Sequence, residues 1–312
     1  MDPIWNRDEN RPKAVLRLCC QFLIFLFLNF LAVFIVSRLS TNNFSNIFSP
    51  LISLLALTSM LVSVWFAGKF LDKRPFTDFG FHLDRTWWLD LFFGLFLGAL
   101  LISLVFIIEI ALGWIAITGS VPVSTKQVSF TSELVNSIIV FIAVGIQEET
   151  FSRGYHLRNI AEGLFRPKIK PLQALVIGWV ISSILFGLFH TGNPHATILS
   201  TIIITFAGLF LGLGFIVTGE LAIPIGIHIT WNLFQGTVFG FPVSGHNPIF
   251  SFVTIHQSGP ALWTGGDFGP EAGLLSSLMM LIGCGMLFLW VRLTNRPSKP
   301  SNALAVYLGN SG

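Results

Sequence analysis

Long apolar runs separated by short polar stretches dominate the chain, and their lengths set the predicted elements. A membrane-spanning helix needs about 20 mostly apolar residues. Eight stretches qualify: 14–37, 51–69, 89–117, 134–152, 172–190, 196–217, 221–239 and 272–292. The third is long enough to tilt or to run past the interface, and the seventh is short and broken by polar side chains. Segments of alternating polarity, which a membrane barrel requires, are absent, so strands are not expected. The fold class read from this pattern is all-α: a polytopic membrane helix bundle of about eight transmembrane helices over 14–292, between tails 1–13 and 293–312.

Composition excludes a soluble domain. Of 312 residues, 53% are apolar and 11% charged, and the mean hydropathy is +0.76. A hydrated surface usually carries roughly 25% charged residues. The net charge of +3 gives no reason to expect a nucleic-acid partner, so membrane lipids are the expected surroundings. Oligomeric state is not encoded in any pattern found. Cys19, Cys20 and Cys284 lie inside apolar runs and read as small buried side chains without a disulfide. The first run is too long for a signal-peptide core and lacks a small-residue exit, so it reads as the first transmembrane helix.

Charge position gives an orientation. With eight spans, one side receives Arg7, Arg11, Lys13, Arg17, Lys69, Lys73, Arg74 and Arg85. The same side receives Arg153, Arg158, Arg166, Lys168, Lys170, Arg292, Arg296 and Lys299. Only Arg38 and Lys126 fall opposite, which by the positive-inside rule puts both termini in the cytosol. The expected location is the plasma membrane of a bacterium. An odd number of spans would destroy this partition. Gly94 and Gly98, and Gly208 and Gly212, have the spacing that lets membrane helices approach closely. The connection 239–271 has no Lys or Arg and many Gly, Pro and Ser, and reads as a non-cytosolic segment capping the bundle.

An ionisable side chain at mid-membrane costs about 2.5–3.5 kcal/mol on insertion scales, so each such residue requires a reason. The candidates are Glu109, Glu148, Glu149, His190, His228 and the amide of Asn232. Glu149 and Arg153 are four apart on one helix face and form a pair, while Glu148 lies about 100° away and is left out of it. Two adjacent carboxylates in unequal surroundings can do acid–base work, although an interfacial charge cluster has the same pattern. Glu148 precedes a turn near Lys168 by 20 residues and His190 follows it by 22. In an antiparallel hairpin the two then differ in depth by about 3 Å. His228 and Asn232, four apart, share a face. Glu109, outside the motifs, reads as a protonated acid, a partner of a neighbouring helix or a residue lining the substrate cavity, with no catalytic role assigned. His195 reads as a loop residue, and His82, His156, His246 and His256 carry no pattern.

Glu148-Glu149-Thr-Phe-Ser-Arg153, Phe186-xxx-His190 and His228-xxx-Asn232, in this order on successive helices, resemble the motifs of the CPBP family. These are the intramembrane proteases of the CAAX-prenyl-protease type 2, bacteriocin-processing or Abi group. The resembling core covers about 134–240. The resemblance implies that Glu148, helped by His190, activates water for peptide hydrolysis. It also implies that Glu149 and Arg153 hold the site, and that His228 and Asn232 donate hydrogen bonds to the oxyanion. The implied partner is a membrane-associated protein or peptide substrate, prenylated CAAX proteins among them. Glu148, His190 and His228 also form a two-His, one-carboxylate set suited to one Zn²⁺, so metal-dependent and metal-free mechanisms both stay open. G-x-S-x-G and H-E-x-x-H are absent. A non-proteolytic scaffold or immunity protein on the same fold, and a transporter, are the competing readings.

Overall fold

The computed structural model describes residues 4–39, 50–120, 130–165, 167–294 and 302–307. Lys126, Arg166, Arg296 and Lys299, which enter the orientation reading, lie outside the described residues. The helices are α1 (Ala14–Leu39), α2 (Pro50–Asp72), α3 (Arg85–Ala111), α4 (Phe130–Leu164) and α5 (Pro171–Phe189). After them come α6 (Ile198–Thr218), α7 (Ala222–Asn232, continued by Leu233–Val238) and α8 (Leu274–Leu293). Among the described residues seven helices are long and apolar enough to cross a membrane, and α7 is not one of them. The expected count of eight is therefore corrected to seven long helices and one short one. Every residue of α7 from Ala222 to Trp231 is buried inside the bundle, so neighbouring protein rather than lipid sets its length. Outward-facing apolar side chains such as Leu23, Phe27, Phe30, Phe92, Phe96 and Leu289 cover the other helices, as an integral membrane protein requires.

Close approach seats α7. A Cβ at Gly94 or Gly98 of α3 would press into the carbonyls of Ile223 and Ile227. The second glycine pair brings α6 against α5, where a Cβ at Gly212 would stand 2.6 Å from the Trp179 ring. Both glycine readings hold, and the first bears on chemistry because Ile227 precedes His228.

Several expectations are overturned. The third helix begins at Asp84, whose side chain accepts from Trp87 N at 2.7 Å, and it ends at Ala111 rather than 117. A strand follows: Ile115–Ser120 pairs antiparallel with Val253–Gln257, because both connections carry β-branched residues beyond the helix ends. Glu109 is fully buried and accepts from Gln257 Nε2 at 2.9 Å, so its partner is that strand, and it does not line the main cavity. Cys19 faces outward and Cys20 and Cys284 are half-buried, all three as free thiols. His156 is buried inside α4 with its ring 3.9 Å from that of Phe151, because α4 continues past the expected end at 152. His195 lies in the α5–α6 connection, as expected.

At the far end of α4, Glu162 receives four guanidinium groups: Arg74 at 2.6 Å, Arg11 at 3.0 Å, Arg158 at 3.3 Å and Arg17 at 3.6 Å. Tyr155 donates its hydroxyl to the buried carboxylate of Asp72 at 2.8 Å. The Tyr307 ring lies 3.4 Å under Arg11. Parts of both expected tails, 1–13 and 293–312, are thus docked on this cluster.

Candidate active site

Both polar motifs stand where a helix changes its winding. α4 is α-helical to Glu149 and π-helical over Thr150–Leu157, and α7 changes in the same way after Asn232. Such widened turns re-aim side chains and recur at functional sites. Glu149 turns away from the cavity into the bundle. Its Oε1 accepts from Arg153 Nη1 at 2.8 Å and lies 2.7 Å from His228 Nδ1. Arg153 spends Nη2 on the Gly208 carbonyl at 3.1 Å, and its guanidinium lies 4.2 Å over the Phe186 ring. Glu148 faces the other way. Its Oε2 is 3.9 Å from His190 Nε2 and 3.8 Å from His228 Nε2, and it makes no hydrogen bond.

The partners fix the tautomers. His190 Nδ1 is 2.7 Å from the Phe186 carbonyl, which can only accept, so Nδ1 carries the proton. In the neutral ring the Nε2 lone pair then points at Glu148. His228 Nδ1 meets a carboxylate, so the same logic applies when Glu149 is ionised, and Nε2 again faces Glu148. Separations near 3.8 Å are too long for direct hydrogen bonds and suit one shared oxygen between the groups.

These atoms open on a cavity of about 250 Å³ whose lining includes Glu148, His190, His228 and Asn232. The approach of Glu148 on α4 to His190 on α5 is as the hairpin spacing predicts, and α7 joins them with His228. Glu149 and Arg153 are the exceptions: neither lines the cavity, and both stand behind its wall.

Residues 130–234 match the model of the Rce1-like family, described as type II CAAX prenyl endopeptidases. The matched segment is one third of the chain and bears out the resemblance carried by the three motifs, all of which it contains. No curated protein and no solved structure matches the chain.

The Rce1-like segment ends before the 239–271 connection, which forms a lid on the cavity. Beyond the matched segment, Ser244, His246 and Glu271 also line the cavity, and none of them was singled out from the sequence. Glu271 accepts from the Ser244 amide and from Gln235 Nε2, and Gln235 bonds the Pro242 carbonyl at 2.6 Å as well. Burial pushes the Glu271 carboxyl up to about 7, partly offset by those hydrogen bonds. Gly269 sits in this cradle at φ +119°, a conformation that glycine adopts without strain. Glu271 falls outside every motif, and a lone acid in a Gly- and Pro-rich loop gives no signal of its own.

Glu148, His190 and His228 offer the donor types of a zinc site, but not its spacing. Ligands of a tetrahedral zinc at about 2.0–2.2 Å stand roughly 3.3–3.5 Å apart. The imidazole nitrogens here stand 3.8 and 3.9 Å from the carboxylate oxygen. Among the described residues no group of three His, Cys, Asp or Glu is arranged to hold a metal ion.

Proposed function

We propose that this protein is an intramembrane endopeptidase that hydrolyses a peptide bond of a membrane-associated protein or peptide, CAAX-type substrates included. The observation that supports it most is the convergence of two imidazole Nε2 atoms on the unpartnered Oε2 of Glu148 at a cavity wall inside the bundle. Glu148 takes a proton from water as the oxygen attacks the peptide carbonyl, and the His190 lone pair holds that water from its other side. Protonated Glu148 then returns the proton to the leaving amine. Asn232, and the Nε2–H of His228 when that ring carries both protons, donate to the oxyanion. Glu149 and Arg153 keep His228 turned towards the cavity. This sequence runs on side chains alone. A zinc-dependent version with Glu148, His190 and His228 as ligands requires the donors to close by about half an ångström.

The test compares peptides released from membranes carrying the unaltered protein or Glu148→Ala, with cleavage of the enriched peptides repeated on purified protein in detergent. Identical peptide profiles would replace the protease by the scaffold. We also assign both termini to the cytosol: Arg11 and the Tyr307 ring meet at 3.4 Å, so both tails share a side with short α7 completing an eighth crossing, and the positive-residue partition says which side. A reporter fused to the C-terminus and active only outside the cell would reverse that.

A further inference from the structure

Resting on the endopeptidase reading, we infer that Glu271 is a specificity-determining residue, through which the cavity selects a cationic substrate group over a carboxylate beside the scissile bond. Three hollows adjoin one another in the protein, sharing lining residues. The main cavity shares Glu148, Phe186, His190 and Asn193 with an aromatic-walled hollow of about 240 Å³ reaching Phe22 and Phe25 of α1. On its other side it shares Phe141, Val243 and His246 with a narrow cleft that reaches Glu133. A chain bound in the main cavity meets both Glu148 and Glu271 on its wall.

Among the described residues, no Lys or Arg lines any of the three hollows. Arg153 is not available to a substrate, since it is fully buried and spends its guanidinium on Glu149 and the Gly208 carbonyl. The remaining candidates for positive charge are histidines. His190 and His228 face Glu148, and burial holds His246 below the usual imidazole range. Against these stand Glu148 and Glu271 in the main cavity and Glu133 in the adjoining cleft. Glu271 is held rigidly by the Ser244 amide and Gln235 while its side chain lines the cavity, so its position does not have to be organised by the substrate. A lysine or arginine side chain, or a free amino terminus, would find a fixed carboxylate there. Above about pH 7, where the buried Glu271 is ionised, a carboxylate would meet like charge in a poorly hydrated place, an arrangement that rejects partners strongly.

The experiment uses three fluorescent peptides that differ only by Lys, Leu or Glu at one position next to the scissile bond. Their binding is measured on Glu148→Gln protein in lipid nanodiscs, at a pH well above the Glu271 value of about 7, where the catalytic charge is removed and the Glu271 carboxylate remains. The Lys peptide is expected to bind at least about tenfold more tightly than the Glu peptide. That ratio should fall towards one in Glu148→Gln/Glu271→Gln. Equal binding of the Lys and Glu peptides overturns the inference, and this arm needs no lid variant, so misfolding cannot hide the result. Persistence of the ratio in a double variant of unchanged melting temperature also overturns it. Cleavage by unaltered protein separates the two claims. If no peptide is cut while the Lys preference in binding persists, the endopeptidase reading fails and the charge selection stands. If all three are cut with equal kcat/KM, the reverse holds.

Discussion

Glu148 and Glu162 stand on the same helix, 14 residues apart, and their surroundings assign them opposite work. Glu162 is enclosed by four guanidinium groups within 3.6 Å and ties α4 to the N-terminal segment, while two of those groups, Arg11 and Arg74, stack on Tyr307. No part of its charge is left for a ligand. Glu148 has two histidines nearby, neither within hydrogen-bonding distance, and one oxygen with no partner on a cavity wall. Glu149, next to it, also has one oxygen without a partner, but its Oε1 is held by Arg153 and His228 and it stands behind the cavity wall, so it belongs with Glu162 in kind. A buried acid surrounded by cations is structural, whereas one left under-satisfied beside a cavity is equipped for proton transfer.

The largest effects should come from exchanging the two acids for glutamine. Glu148→Gln should lower cleavage by about 10²–10⁴-fold with little change in melting temperature, because it removes a proton acceptor and breaks no ion pair. Glu162→Gln should instead destabilise by about 3–5 kcal/mol, since four buried guanidinium groups lose their common partner. Melting curves and cleavage rates on both purified variants would show it. If Glu162→Gln melts like the unaltered protein, the contrast between the two acids is lost.

Glu149→Gln is the intermediate case and should cost both properties. It unpairs Arg153, at about the same 3–5 kcal/mol scale, and releases the His228 ring. An unchanged melting temperature would move Glu149 from the structural to the chemical class. Asn232→Ala should reduce kcat by about 10²–10³-fold with KM nearly preserved, as loss of an oxyanion donor does. A rise in KM alone would make Asn232 a substrate-binding residue.

The smallest effect concerns the lid. Glu271 has a folded-state pKa of about 7, above the ordinary carboxylate value, so the folded lid holds a proton that the opened lid releases. Its contribution is fully present below the ordinary carboxylate pKa, near pH 4.5, and is lost as pH rises towards 7. The loss is a few kcal/mol at most. Hydrogen exchange over 239–273, corrected for its intrinsic pH dependence, should therefore rise across this window, and Glu271→Gln should flatten the rise. A flat profile in the unaltered protein would show that the lid does not depend on this acid.

Much of the site was legible because its spacing is helical. A polar residue inside an apolar run has few reasons to be there, and Glu148, His190, His228 and Asn232 were each found by that test. The hairpin count then placed Glu148 and His190 at one depth, and the 3.9 Å contact agrees with it. The orientation of Glu149 was legible only in part. Its pairing with Arg153 followed from the four-residue spacing, but its bond to His228 joins helices 79 residues apart. Glu271, Gln235 and Ser244 were missed, because a loop has no period from which to predict which side chain returns to the cavity.

The sequence by itself determined the class, the approximate places of the helices and the candidate site residues, because a bilayer forces apolar runs of set length and makes every polar exception conspicuous. It could not set the length of α7, whose surroundings are Gly94, Gly98 and the rest of the bundle. Nor could it foresee the strand that receives Glu109, the lid acid Glu271, or the docking of residues from both tails on the cluster around Glu162. Those features depend on contacts between segments far apart in the chain, and only the packed structure brings such segments together.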